Sequence, residues 1–424
     1  MQRAEAREPA WRQQPMGRVA AGSSAIRKHR PDYWLVVIVV LLLAIGLTVV
    51  YSISPALNAL RGGNYVLRQV IAICLSVVAF LITARIPLKQ WRKWQWVLLG
   101  LAAFGTLIAL VTPPIPAYPQ HRWIRLGSFS LQSVEVLKFA LLISISGFLA
   151  DRVQRGVIAN YRATLRPLAI AVGVIGLIVA FIQSDLGSAG VIVIMVATMG
   201  FIAGLPMRRI ALIGVIVVIG TVLAISSTPY RRARLATYLH PENNCSTDAG
   251  HQACQALIAV GSGGMIGLGL GKSVQAYGYL PEAQNDSIFA IYAEKFGFIG
   301  SVVLLALFMT LYARLRLIVE RAPDVFSRLL VAGVLAWLSA QAIINIGAMI
   351  GLLPLKGITL PLISYGGTSV LFVGAALGLV FQVSHYTSFH SRYVPPNGQR
   401  KKYEHSTDRR GIGRAHRTDS GRRR

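Results

Sequence analysis

The sequence predicts an all-α polytopic membrane protein of ten transmembrane helices, with one large extracytoplasmic loop between the seventh and the eighth. Three observations carry that reading. Only 14% of the 424 residues are charged, against roughly 25% in an average soluble domain, and mean hydropathy is +0.55. Uncharged apolar runs recur along the chain, such as 34-WLVVIVVLLLAIGLTVVYSI-53, long enough as a helix to cross a hydrocarbon core about 30 Å thick. The basic residues, 43 Lys and Arg against 16 Asp and Glu, collect in alternate connections, as the positive-inside rule requires of a chain that threads back and forth. A soluble nucleic-acid binder could carry the formal net charge of +27, but not the apolar runs, so no nucleic-acid partner is expected and the charge is read as topology and attraction to the lipid surface.

The spans fall at about 33–53, 65–86, 94–112, 134–150, 165–183, 187–205, 210–227, 287–313, 329–351 and 362–384. Each is expected to be helical, because backbone polar groups in lipid must be satisfied within their own segment. The first is too long for a signal-peptide core and lacks a small-residue cleavage site, so it is expected to be retained. Residues 1–32 ahead of it form a basic tail, from Arg3 to Arg30. Lys89, Arg92 and Lys93 follow the second span, Arg152, Arg155 and Arg162 the fourth, Arg208 and Arg209 the sixth, and Arg316, Arg321 and Arg328 the eighth. The tail 387–424 is the most basic, ending Arg422-Arg423-Arg424. With an even number of spans all these charges share one side, which places both termini in the cytoplasm and makes 33–386 the membrane domain. The tails, rich in Arg, Gly and Ser, read as disordered. Cys74, inside the second span, reads as a small core residue. Cys245 and Cys254 lie in the outer loop, about 228–286, where an oxidising compartment would let them pair; neither their number nor their spacing suggests zinc.

That loop contains 261-GSGGMIGLGLGKS-273, which looks like a phosphate-binding P-loop. The P-loop pattern needs a glycine five residues ahead of Gly271, and position 266 is Ile. The stretch also lies on the side of the membrane where ATP is scarce. Its glycines are therefore read as letting backbone approach something closely or fold tightly.

Polar residues in or beside membrane spans are costly and mark candidate sites. Glu135 and Lys138, at i and i+3, form either a neutralised pair or a working one. Asp185, in 182-IQSDLGS-188, and Asp286, in 280-LPEAQNDSIFAIYAEKFG-297, each stand where a helix begins and read first as N-caps. Glu294 and Lys295 lie deeper in the eighth span. Asp286 and Glu294 are a poor glycosidase pair: eight helical residues separate them by about 12 Å, where such carboxyls stand roughly 5–9.5 Å apart. A single carboxylate acting as general base fits better. The loop segment 229-PYRRARLATYLHP-241 places arginines on the side that topology does not explain, and guanidinium groups there suit phosphate. With Lys272 and Lys356 they point to an anionic, phosphate-bearing, lipid-linked substrate, or to simple headgroup anchoring.

These residues converge on a family. The stretch 341-QAIINIGAMIGLLPLKGITLPLISYGGTS-369 resembles the signature of the SEDS proteins, the group of FtsW, RodA and SpoVE, through Asn345, Pro354, Gly357, Pro361 and 364-SYGGTS-369. Three further stretches are similar to the family's: 122-RWIRLG-127 with Gln132, Glu135 and Lys138; 183-QSDLG-187; and 255-QALIAVGSGGMIGLGLGKSVQ-275 with 280-LPEAQND-286. The resemblance spans about residues 33–386 and leans to the division-type, FtsW branch. It departs at Ser133 and Ser184, where the family has prolines, which predicts looser turns; at Val134, where Ser is usual; at Lys295, in place of a second acid; and at Ser287, in place of an aromatic.

The resemblance implies a ten-helix glycosyltransferase that polymerises lipid II into peptidoglycan glycan strands during cell division. It implies work beside a class B penicillin-binding transpeptidase and other division proteins, in the bacterial cytoplasmic membrane at the septum. It moves Asp286 from N-cap to general base. The substrate-binding set is then Arg122, Glu135, Lys138, Gln183, Asp185, Arg231, Arg234, Ser262, Lys272, Lys356 and Ser364, with Lys138, Arg231 and Arg234 near the leaving diphosphate. A divalent cation, Mg or Mn, is allowed but no visible ligand cluster requires it. The rival readings are a lipid II flippase, a scaffold that only recruits the transpeptidase, and an elongation-type polymerase.

Overall fold

The computed structural model describes residues 27–28, 30–112, 122–126, 129–226, 248–355 and 357–387, with 232, 236, 238 and 245 besides. Helices dominate them: α1 Tyr33–Arg61, α2 Tyr65–Arg85, α3 Leu88–Val111, α4 Ser133–Gln154, α5 Arg166–Leu177, α6 Leu186–Ile202, α7 Met207–Ser226, α8 Asp248–Ser262, α9 Ile288–Arg321, α10 Val325–Met349 and α11 Gly367–Ser384. Turns of π-helix at Tyr161–Leu165 and Ile178–Ile182 extend α5 at both ends. Among the described residues eight helical segments are long and apolar enough to cross a membrane: α1 to α5, with α5 counted with its π-turns, and α9 to α11. The apolar α6 has 17 residues and α7 has 20. The chain is thus a helical, multi-pass membrane protein.

Several helices outrun the apolar runs that announce them. Caps and local pairs end a helix, whereas the edge of the hydrocarbon does not. Thus α1 continues through Pro55 to the glycine cap at Gly62, α3 begins at the Pro87 cap and so carries Lys89, Arg92 and Lys93, and α9 runs to Arg321, supported by an Arg316–Glu320 pair at 2.9 Å. The all-α expectation also needs amending. Strands β2 (Trp123–Leu126) and β3 (Phe129–Gln132) form an antiparallel hairpin before α4, and β1 (Arg27–Lys28) pairs with β4 (Tyr386–Thr387).

Burial ranks the helices. Of the most apolar stretch of α4, 89% is buried, and 78% in α10 and α11, against 22% in α2, α3, α5 and α9. So α4, α10 and α11 are interior and the others present a broad apolar face outward. Cys74 lies on that outward face of α2, exposed and unpaired, and is not a core residue. The inner face of α2 meets α11 through small residues: Ser76 donates to the Val370 carbonyl and Thr83 to that of Ala375, both at 2.8 Å. A Cβ on Gly374 would stand 2.0 Å from the Ser76 hydroxyl, and one on Gly378 2.1 Å from that of Thr83. Small residues and cross-helix hydrogen bonds are how helices associate where the solvent is itself apolar.

The glycine-rich stretch finds its purpose in α9. That helix breaks at Gly297 (φ 66, ψ −163), which frees backbone groups that lipid cannot satisfy. The turn 263–269 fills the break. Leu268 and Gly269 donate to the carbonyls of Glu294 and Lys295, at 2.9 and 3.0 Å, while Phe298 and Ile299 donate to those of Gly264 and Met265, at 2.9 and 3.0 Å. Such backbone-to-backbone docking leaves no room for side chains: a Cβ on Gly263 or Gly267 would stand 2.1 Å from a carbonyl oxygen of α9. Lys295 steadies the same turn, donating to the Leu270 carbonyl at 2.7 Å.

Candidate active site

The interior helix α10 carries two amides at i and i+4, Gln341 and Asn345, on one face. Both are buried. The Asn345 side-chain nitrogen donates to the Asp286 carbonyl and to that of Ile358, each at 2.7 Å. It thereby ties the start of α9 to the segment between α10 and α11. That segment grips again at Ser364, whose hydroxyl donates to the Asn285 carbonyl at 2.6 Å and accepts from Leu360 N–H at 2.7 Å. A third tie is Tyr365 N–H to the Gln284 carbonyl, 2.8 Å. Residues 284–286 are therefore held through their backbone by three consecutive carbonyls. Burial pushes the Tyr365 phenol up, against an opposing hydrogen bond and charge from Arg68.

Ser287, and not Asp286, occupies the N-cap of α9, so the cap reading of Asp286 fails. A Cβ on Gly357 would lie 3.7 Å from Asp286 Oδ2 and 3.9 Å from Arg122 Nη1, so carboxylate and guanidinium converge on one bare stretch of backbone. Arg122 is aimed there by its other nitrogens: Nε donates to the Gln183 carbonyl at 2.7 Å and Nη2 to that of Ser184 at 2.5 Å. Gln183 is buried and donates to the Ser133 hydroxyl at 2.8 Å. Ser184 takes φ 53, a region closed to the proline that the family pattern places there. Its effect is a different turn that offers two carbonyls to Arg122, where only a looser one was expected.

The other sequence candidates separate into groups. Glu135 and Lys138 pair at 2.7 Å, both almost wholly buried. Lys138 also donates to Gln341 at 3.1 Å and lies 5.0 Å from the Trp337 ring centroid, and Gln341 bonds onward to Thr359. The pair thus braces the segment that carries Gly357. Asp185 caps α6, accepting from Ser188 N–H at 3.0 Å and its hydroxyl at 2.9 Å. Glu294 is far from any pairing with Asp286: it is buried and accepts from Ser273, Val274 and Gln275. Ser262 ends α8 with its hydroxyl on the Ala259 carbonyl, and Lys272 is exposed just ahead of the turn that Glu294 holds. Arg231, Arg234 and Lys356 lie outside the described residues, as do the tails 1–26 and 388–424. Cys245 and Cys254 are bonded, with Cα atoms 5.6 Å apart. Among the described residues no three His, Cys, Asp or Glu side chains form a metal-ligand group, so one carboxylate beside a guanidinium is a poor cradle for a divalent cation and no step is routed through one.

The sequence reading passed over Gln341, Asn345 as a working residue, and Arg68. Two amides one turn apart in an apolar span were the available signal for the first two. For Arg68 the signal was a cation in the first turn of a membrane helix.

Comparison with known proteins gives the chain a family. Residues 33–389 match the family described as cell cycle protein, comprising FtsW, RodA and SpoVE. The chain is 36% identical over 364 residues to a probable peptidoglycan glycosyltransferase FtsW of Coxiella burnetii, covering 84% of this chain and 96% of that one. It is 35% identical to stage V sporulation protein E of Bacillus subtilis, covering 86% and 99%. Among solved structures it resembles a chain of a peptidoglycan synthase complex that coordinates polymerisation and crosslinking, with TM-score 0.69, 25% identity and coverage of 84% and 97%. It also resembles the rod shape determining protein RodA of Thermus thermophilus, with TM-score 0.59, 25% identity and coverage of 86% and 98%. The chain belongs to the FtsW, RodA and SpoVE family of cell cycle proteins.

Proposed function

We propose that the protein is a peptidoglycan glycosyltransferase that polymerises lipid II, with Asp286 as general base. The observation that carries the proposal is the meeting of the Asp286 carboxylate and the Arg122 guanidinium beside Gly357, on a segment fixed by Asn345 and Ser364. An acceptor sugar hydroxyl attacks C1 of the donor disaccharide and gives its proton to Asp286. The new glycosidic C–O bond forms as the bond from C1 to the polyprenyl diphosphate oxygen breaks, inverting C1. The departing diphosphate gains negative charge, so fixed cations favour the transition state over the ground state. Arg122 serves this reading directly, and Arg231, Arg234 and Lys356 are assigned the same task. Lys138, held by Glu135, Gln341 and Trp337, is assigned a positioning role instead.

The layout that accompanies this reading is ten spans, α6 and α7 included, with both termini cytoplasmic, residues 228–286 outside, and basic tails at 1–32 and 387–424. The partner is a class B penicillin-binding transpeptidase and the site of action is the division septum, in keeping with the FtsW relatives. Purified protein with that partner and labelled lipid II tests the proposal. Long glycan strands from the native chain and none from a folded Asp286→Ala variant support it. Equal product from both refutes Asp286 as base. No product from either, with lipid II crossing a bilayer, replaces the polymerase by a transporter.

A further inference from the structure

Far along α9 from Asp286, Arg314, Leu317, Ile318 and Arg321 fall at i, i+3, i+4 and i+7, one face of the helix. With Arg30 and Asp32 they line a cavity of about 240 Å³, where α1 begins and α9 and α11 end. Among the described residues its lining sets Arg314 and Arg321 against one carboxylate, Asp32, and that carboxylate has other work. Asp32 caps α1, accepting from Leu35 N–H at 3.4 Å, while its own N–H donates to Ser384 at 3.1 Å. Its distance to Arg314 is 3.8 Å, longer than the 2.7–2.9 Å of a charge-assisted hydrogen bond.

The helix dipole accounts for Arg321, in the last turn of α9, but not for Arg314, about 10 Å further in. Topology alone does not account for the arrangement either. Arg316 is neutralised by Glu320 on an exposed face, while Arg314 and Arg321 line the cavity. Tyr33 and Trp34 beside it are 60% and 63% exposed, and Arg314 lies 5.9 Å from the Trp34 ring centroid. Exposed aromatic rings at a helix end mark the headgroup level of a membrane, and basic pockets between membrane helices at that level accept lipid headgroups.

We infer that this cavity is a second, non-catalytic ligand site that binds a phosphate group. Arg314 and Arg321 fork onto the phosphate oxygens, Arg30 closes the mouth, and Leu317 and Ile318 form an apolar wall suited to the glycerol and first methylenes of an anionic phospholipid.

The test is native mass spectrometry of the purified full-length chain released from mixtures of phosphatidylglycerol and phosphatidylcholine. The native chain is expected to retain one phosphatidylglycerol about tenfold more tightly than phosphatidylcholine, the equivalent of one good phosphate contact. The Arg314→Ala, Arg321→Ala pair loses that preference. A control pair on the same membrane face, Lys89→Ala with Lys93→Ala, keeps it. The Arg314→Lys, Arg321→Lys pair, which keeps charge but removes the fork, weakens retention and serves if the alanine pair does not fold. Millimolar inorganic phosphate separates the sources: no displacement supports a lipid headgroup, and full displacement supports the phosphate site with a soluble ligand. Equal losses from the pocket and control pairs, or no preference in the native chain, overturn the inference.

Discussion

Asn345 makes one side-chain nitrogen serve two carbonyls, those of Asp286 and Ile358. Its replacement by alanine leaves both carbonyls short of a donor in a buried place, which costs about 1–3 kcal/mol. It also releases the backbone on either side of the carboxylate, and a misplacement of about 1 Å can cost 100-fold in rate. Asn345→Ala is therefore expected to lower the rate of glycan synthesis far more than it lowers lipid II binding. Steady-state kinetics with a thermal melt checks this; a loss confined to KM would contradict it. At this scale the sequence was partly legible. Asp286 could be picked out through 280-LPEAQND-286 despite the departure at Ser287, and Asn345 only as one letter of the signature 341–369. The partners could not, because Asn345 meets Asp286 across 59 residues of chain and no local pattern encodes that pairing. Asp286 read as a cap because Asp commonly is one, and only the geometry transfers that position to Ser287.

A pattern of glycine and lysine invited an ATP site, whereas at the level of elements it is a plug for a broken helix. Gly267, with φ 82 and a would-be Cβ 2.1 Å from the Lys295 carbonyl oxygen, is the position where any side chain is least tolerable. Gly267→Val is expected to destabilise by several kcal/mol, since it combines a left-handed backbone with a clash against backbone. The expected readout is a lower midpoint of thermal unfolding and faster proteolysis near residue 297. An unchanged melting curve would show that the plug is not needed. Spacing could exclude the P-loop but could not reveal the plug, because a single glycine such as Gly297, even with Glu294 and Lys295 ahead of it, does not by itself mark a helix break. The helix ends were misread for a related reason: hydropathy locates the hydrocarbon, and caps locate the termini.

In the molecule as a whole, a bracing network runs from Glu135 and Lys138 on α4 through Gln341 on α10 to Thr359, and on to Ser369 at the start of α11. The three most buried helices are thereby coupled to the segment that bears Gly357. The packing of α2 on α11 supports them from outside, and Gly374→Leu, at 2.0 Å from the Ser76 hydroxyl, is expected to separate the two helices at a cost of about 3 kcal/mol or more. A cysteine pair engineered across that interface should then crosslink less in the variant than in the native chain; equal crosslinking would argue against it. Fold class and most spans were legible at this scale, because lipid imposes them residue by residue. The interior position of α4 was not, since α4 is no more apolar than its neighbours.

The central claim is that Asp286 takes the proton in the bond-forming step. The most direct measurement is single-turnover glycan synthesis by Asp286→Asn with saturating lipid II, alongside lipid II binding to the same protein. The isosteric amide keeps the shape and removes the base, so binding within a few-fold of native and a rate lower by about 10²- to 10⁴-fold are predicted. A rate near native, or a loss of binding that accounts for the whole effect, would contradict the account.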